Sequence, residues 1–131
     1  MKRITNKITL FQLAVVDMDK SKKFYSDKLG FEVTEDIQKR GNRWVLLVSS
    51  DGGPSIILTT CDENVKPGSM KIYLSTPNIE EMYNEMKLRG IDLSDIIADP
   101  EGTYFSFHDP DGNMWVVVLC GYGDTPPNIF Y

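Results

Sequence analysis

LGFEVTEDIQKRGNRWVLLVSSDGGPSIIL at positions 29–58 and RGIDLSDIIADPEGTYFSFHDPDGNMWVVV at positions 89–118 carry the same punctuation sixty residues apart. Gly30 matches Gly90, Asp51-Gly52 matches Asp111-Gly112, and Trp44 matches Tyr104. Ser55-Ile56-Ile57-Leu58 runs parallel to Trp115-Val116-Val117-Val118. Self-similarity at a fixed period is the mark of a repeated structural unit, so the chain reads as one module written twice.

Outward from these stretches, each copy opens with alternating apolar residues, Phe11, Leu13 and Val15 in the first and Ile72 and Leu74 in the second. That is the period of a half-buried strand. A helix follows in both. The Asp17 to Asp19 region caps the first, which carries Phe24, Tyr25 and Leu29; Thr76-Pro77-Asn78 caps the second, where Ile79, Met82, Tyr83 and Met86 fall at i, i+3, i+4 and i+7. Gly30 and Gly90 end the helices where a left-handed residue is wanted. Three strands are expected after each glycine: Phe31 to Glu35, Trp44 to Ser49 and Ser55 to Thr59, then Ile91 to Ile97, Thr103 to His108 and Met114 to Leu119. The Asp-Gly pairs turn the last two of each set into hairpins. The expected fold is α+β: two tandem βαβββ modules forming a curved mixed sheet, helices on the convex face and a concave pocket on the other.

With 131 residues, the chain is expected to form a single domain, module one at about 8–61, module two at about 69–120, and a tail at 121–131. Fourteen Lys plus Arg against nineteen Asp plus Glu leave a charge of -5, and no basic run interleaves with aromatics. Nucleic-acid binding and attachment to an anionic membrane are therefore not expected. Cys61 and Cys120 stand far apart without CxxC spacing and read as thiols in a reducing compartment. MKR is followed by polar residues, and the longest apolar run, Met114 to Cys120, is too short to span a bilayer, which points to the cytoplasm. The tail GYGDTPPNIFY ends in an apolar cluster expected to dock on its own body or a second subunit.

VVDMDKSKKFYSDKLGFEV at 15–33 resembles the opening strand, helix and turn of the vicinal oxygen chelate superfamily, and FHDPDGNMWVV at 107–117 resembles its closing hairpin. This is the family of glyoxalases, bleomycin resistance proteins and dioxygenases, and with the repeat the likeness covers about residues 8 to 120. Metal-dependent members carry ligands on the opening and closing strands of each module. By counting, the resemblance places these positions at Leu10, Ile56, Lys71 and Val116. Divalent ions need lone pairs from carboxylate, imidazole or amide oxygen; Leu, Ile and Val offer none, and a protonated lysine repels the ion. No metal and no other cofactor is expected, and the family habit of pairing makes a homodimer the expected assembly.

Strand alternation places Phe11, Leu13, Ile72, Leu74, Phe105, Phe107 and Trp115 under the helices. Their neighbours, Leu10, Gln12, Ala14, Trp44, Leu46, Ile56, Leu58, Lys71, Tyr73, Tyr104, Ser106, His108, Met114 and Val116, then face the cup. Gln12, Trp44, Lys71, Tyr73, Tyr104, Ser106, His108 and Met114 are the candidate ligand contacts. Lys71 reads as a counter-ion for an anionic ligand, or as a side chain that snorkels out or pairs with a carboxylate. Trp44 and Tyr104 read as a clamp for a flat ligand, or as plain packing. His108 and Lys71 are the candidate acid–base groups. The functional expectation is binding of a small organic, anionic compound, as in resistance proteins that sequester a drug. The alternative is a glyoxalase-like lyase or isomerase, or a dioxygenase-type enzyme, using His108 and Lys71 or a displaced metal site.

Overall fold

Parity along the strands requires each sheet to show one apolar face, and the protein covers that face with one helix per sheet. The computed structural model describes residues 7–60, 64–100 and 102–120, so the tail at 121–131 and Cys61 lie outside the described residues. The chain divides into two units between Pro67 and Gly68. The first contains β1 (Leu10–Ala14), α1 (Met18–Lys23), β2 (Glu32–Lys39), β3 (Asn42–Val48) and β4 (Ser55–Thr59). The second contains β5 (Lys71–Thr76), α2 (Ile79–Leu88), β6 (Ile97–Asp99), β7 (Gly102–His108) and β8 (Met114–Leu119). The strand orders are β1-β4-β3-β2 and β5-β8-β7-β6. In each sheet the opening strand runs parallel to the last and the other pairs are antiparallel. Two βαβββ units with mixed four-stranded sheets result, the α+β architecture expected. Among the described residues, no helix is long and apolar enough to cross a membrane.

Local chemistry starts and stops the helices where the sequence places their ends. Asp17 accepts the Lys20 amide at 3.2 Å and caps α1, which continues into a π turn over Phe24–Lys28. Asn78 accepts the Glu81 amide at 3.1 Å while its own side-chain amide donates to the Glu81 carboxylate at 3.0 Å, a reciprocal cap of α2. Gly30 and Gly90 leave the helices at φ 82° and 77°, the left-handed region that favours glycine.

In the first unit α1 lies on the face that carries Val45, Leu47, Ile56 and Leu58, all buried. An ionic cluster fixes it there. Arg43, on that same face of β3, donates to both Asp36 oxygens at 2.9 and 2.7 Å and to Asp19 of α1 at 2.7 Å, while Lys22 of α1 donates to Asp36 at 2.8 Å. Hydrogen bonds from Arg43 and then Lys22 hold the Asp36 carboxyl well below the usual carboxylate range. In the second unit Tyr83 of α2 packs edge-on against Phe105 with ring centroids 5.1 Å apart, and Phe107 stacks on Trp115 beneath the same helix. Side chains of this size each contribute roughly 1.5–3 kcal/mol when taken out of water.

Two elements depart from the sequence reading. β2 runs to Lys39, well past Glu35, because Arg40 and Gly41 take left-handed φ of 54° and 79° and close a two-residue hairpin onto β3. The strand expected over Ile91 to Ile97 forms only from Ile97. Ser94 explains the interruption: its amide donates to the Ser106 carbonyl, but its hydroxyl, in place of a backbone carbonyl, accepts the Ser106 amide at 2.8 Å.

The turn between β7 and β8 is a buried polar knot. Asp109 accepts from the Asp111 and Asn113 amides and from the Asn113 side chain, and Asn113 in turn accepts the Met70 amide at 2.9 Å just ahead of β5. Gly68, at φ 75°, lies so close that a Cβ there would collide with the Asp111 carbonyl. Asn113→Ala leaves the Asp109 carboxylate and the Met70 amide short of partners, and a loss of about 1–3 kcal/mol is expected in urea denaturation. An unchanged midpoint would show that the knot contributes nothing. Asp36→Asn tests the ionic cluster through pH. A carboxyl with a depressed folded pKa adds stability that is complete above its unfolded value of about 3.9 and lost as pH falls through the folded value. The variant should be about 0.5–1 kcal/mol less stable than the wild type at pH 7, the gap closing below about pH 4. A gap independent of pH would contradict this.

Candidate functional site

Each sheet has a second face that its own helix does not cover, and pairing registers sort the side chains on it into rows. In the second unit Lys71, Met114 and His108 form one row across β5, β8 and β7. Tyr73, Val116 and Ser106 form the next, and Ser75, Val118, Tyr104 and Ile97 the third. In the first unit Gln12, Ile57, Leu46 and Glu35 share one row, and Ala14, Thr59, Trp44 and Ile37 another. All eight candidate contact residues therefore stand on helix-free faces: Gln12 and Trp44 on the first, and Lys71, Tyr73, Tyr104, Ser106, His108 and Met114 on the second.

The sequence assignment of β4 is corrected. Ile56 and Leu58 pair with Leu47 and Val45 under α1 and are 1% and 0% exposed, so they do not belong to the helix-free face. Ser55, Ile57 and Thr59 take their places. The loop between β3 and β4 spans residues 49–54 and that between β7 and β8 spans 109–113, one residue fewer. Beyond the loop the repeat offset drops from sixty to fifty-nine, and a one-residue slip moves every side chain of a strand to the opposite face. The extra residue lies in Gly52-Gly53-Pro54, and counting back from the far end of β4 would have located it. The position equivalent to Val116 is therefore Ile57.

Lys71 and His108 are exposed, whereas Val116 is buried at the centre of the face. The Lys71 ammonium lies over the Tyr73 ring at 5.6 Å from its centroid. It thus stays on the helix-free face, and among the described residues no carboxylate pairs with it. Of the four positions that the resemblance marks for metal ligands, corrected to Leu10, Ile57, Lys71 and Val116, three offer no lone pair and the fourth presents an ammonium. That donor set does not fit a divalent ion. Among the described residues no three His, Cys, Asp or Glu side chains gather where they could hold one.

Residues 7–117 match the model of the Glyoxalase/Bleomycin resistance protein/Dioxygenase superfamily. The protein YurT of Bacillus subtilis (strain 168) is 29% identical over 127 residues, covering 86% of this chain and 98% of that relative. Among solved structures, TnmS3, an antibiotic binding protein from Streptomyces sp. CB03234, superposes with a TM-score of 0.79 at 25% identity, covering 89% of this chain and 98% of the other. A glyoxalase/bleomycin resistance protein from the same organism gives a TM-score of 0.72 at 26% identity, covering 86% and 99%.

The two tryptophans report the two faces separately. Trp44 is half-buried on a helix-free face, while Trp115, 1% exposed, lies under α2. Acrylamide should quench one component of the emission and spare the other, and Trp44→Phe should remove the quenched component. Equal quenching of both tryptophans would contradict the face assignment.

Proposed function

Because this chain belongs to the glyoxalase/bleomycin resistance protein/dioxygenase superfamily, we propose that it is a metal-independent binding protein that sequesters a small organic compound against a helix-free sheet face. The observation that carries this reading is the donor set at the family's ligand positions, Leu10, Ile57, Lys71 and Val116, which has no group suited to a divalent ion. What stands around those positions suits an organic molecule instead. On the second unit's face Tyr73, Tyr104 and Met114 supply flat or adaptable apolar contact and Ser106 and His108 directed hydrogen bonds; on the first unit's face Trp44 and Gln12 offer the same two kinds of group. The likeness to an antibiotic binding protein supports the same reading. On this account the protein acts in the cytoplasm as a homodimer.

A second reading is an enzyme of the lyase, isomerase or dioxygenase type. One observation favours it: His108 and Lys71 share a row of the same face, so a base and a cation could act on one substrate. Turnover of a bound compound, abolished by His108→Gln while binding persists, would select it over sequestration.

Protein purified without added metal should contain no stoichiometric divalent ion, and zinc, nickel, manganese or iron(II) should not raise its thermal midpoint by mass action. The neutral probe phenylnaphthylamine should bind with an increase in its own emission, and Tyr104→Ala should weaken it about 5- to 10-fold, the scale of a lost aromatic contact. One tightly held metal equivalent per chain, or a probe indifferent to Tyr104→Ala, would overturn the proposal.

A further inference from the structure

The two helix-free faces are built on the same frame and differ in charge. Pairing makes Leu10 of β1, opposite Ser55, the counterpart of Lys71 of β5, opposite Met114. Val48, the last residue of β3, likewise corresponds to His108, the last of β7. One copy therefore reads Leu10, Ser55, Val48 and the other Lys71, Met114, His108. The frame needs no lysine at this place, since the first unit forms the same strand pair with a leucine there.

Among the described residues, Arg43 pairs with Asp36 and Asp19, Lys22 with Asp36, and Arg89 with Glu85. Among the described residues the Lys71 ammonium meets only the Tyr73 ring, an interaction that orients it without neutralising it. The three rows that run from Lys71 to Tyr104 contain no Asp or Glu, in a chain whose net charge is -5. Val116 and Val118, both 4% exposed, form a dry floor beside the charged row and strengthen any electrostatic contact made above it. Lys71 and His108 are separated by Met114 alone, two strand spacings or about 10 Å between backbones. An acidic group seated between them receives ammonium and imidazole donors from opposite sides. Met114 and Tyr73 present flat, polarizable surface to a ring attached to that group.

We propose that the row Lys71, Met114 and His108 is an anion-recognition site selecting planar aromatic acids, such as carboxylates, sulfonates or phenolates carried on a ring. The site rests on the binding reading above and names the chemical class it prefers. Lys71 provides the charge, His108 a directed donor, and Tyr73 holds the ammonium in place.

A matched pair of probes tests it: anilinonaphthalene sulfonate, which is anionic, and phenylnaphthylamine, its neutral counterpart, each titrated by its own emission at fixed salt. The wild type should bind the anionic probe at least about tenfold more tightly, and Lys71→Met should weaken that probe about 5- to 100-fold, the range for a charge-assisted hydrogen bond. The neutral probe should change less than about twofold, the scale of a surface substitution. Lys71→Arg should restore most of the anionic affinity. Lys87→Met, on the exposed side of α2, removes the same formal charge and should leave both probes unchanged. Lys71 is exposed, so unchanged thermal midpoints are expected for its variants. If both probes bind and Lys71→Met leaves the anionic one unaffected, or Lys87→Met weakens it equally, the anion site is wrong while the binding reading stands. If neither probe binds, the binding reading falls and takes this inference with it.

Discussion

A β-strand shows its residues alternately to two faces, and each of these four-stranded sheets has one helix with which to cover one of them. Everything else in the protein follows from that constraint. The covered face must be apolar and closely packed, and it is: Val45, Leu47, Ile56 and Leu58 in one unit, Phe105, Phe107, Trp115 and Val117 in the other. The second face is free of a helix, and in the second unit it holds Lys71, Tyr73, Ser106 and His108, the groups on which the proposed function draws. The parity of a strand therefore decides which residues pack beneath a helix and which stand on the open side of the sheet.

The devices that hold each helix in place differ between the units, although the frame is repeated. In the first unit Arg43 and Asp36 on the sheet grip Asp19 and Lys22 of α1 through charge. In the second, Tyr83 of α2 grips Phe105 through ring contact. The hairpin turns differ too. The loop at 49–54 relies on left-handed Gly52, while the turn at 109–113 is organised by the buried Asp109 and Asn113, whose side chain also secures the amide ahead of β5. The DPDGN motif, so prominent in the sequence, is thus a structural feature, and the adjacent His108 owes its position at the end of β7 to it.

Most of the fold was legible because the signals were periodic and redundant. Alternating Ile72 and Leu74, the stripe Ile79 to Met86 and the caps at Asp17 and Asn78 each specify an element by themselves. Parity was also legible on β1, β3, β5, β7 and β8, five of the six strands whose faces the sequence assigned, including every residue placed under the helices. It failed on β4, where one extra loop residue breaks the sixty-residue offset and exchanges Ile56 for Ile57. The hairpin at Arg40-Gly41 escaped notice because left-handed arginine has no sequence signature. The absent strand before Ile97 reflects a hydrogen bond that the Ser94 hydroxyl accepts from the Ser106 amide, which no propensity scale contains. The candidate contacts were legible by type and by strand, while the row that places Lys71 and His108 on either side of Met114 needed the pairing register.

Whether small molecules meet this protein on a helix-free face can be read residue by residue from heteronuclear NMR spectra recorded during titration with anilinonaphthalene sulfonate. Perturbations should concentrate on Lys71, Tyr73, Ser106 and His108, leaving the exposed positions of α1 and α2, such as Lys20 and Glu80, unmoved. Perturbations gathered on the two helices, with His108 and Tyr73 silent, would contradict binding on that face.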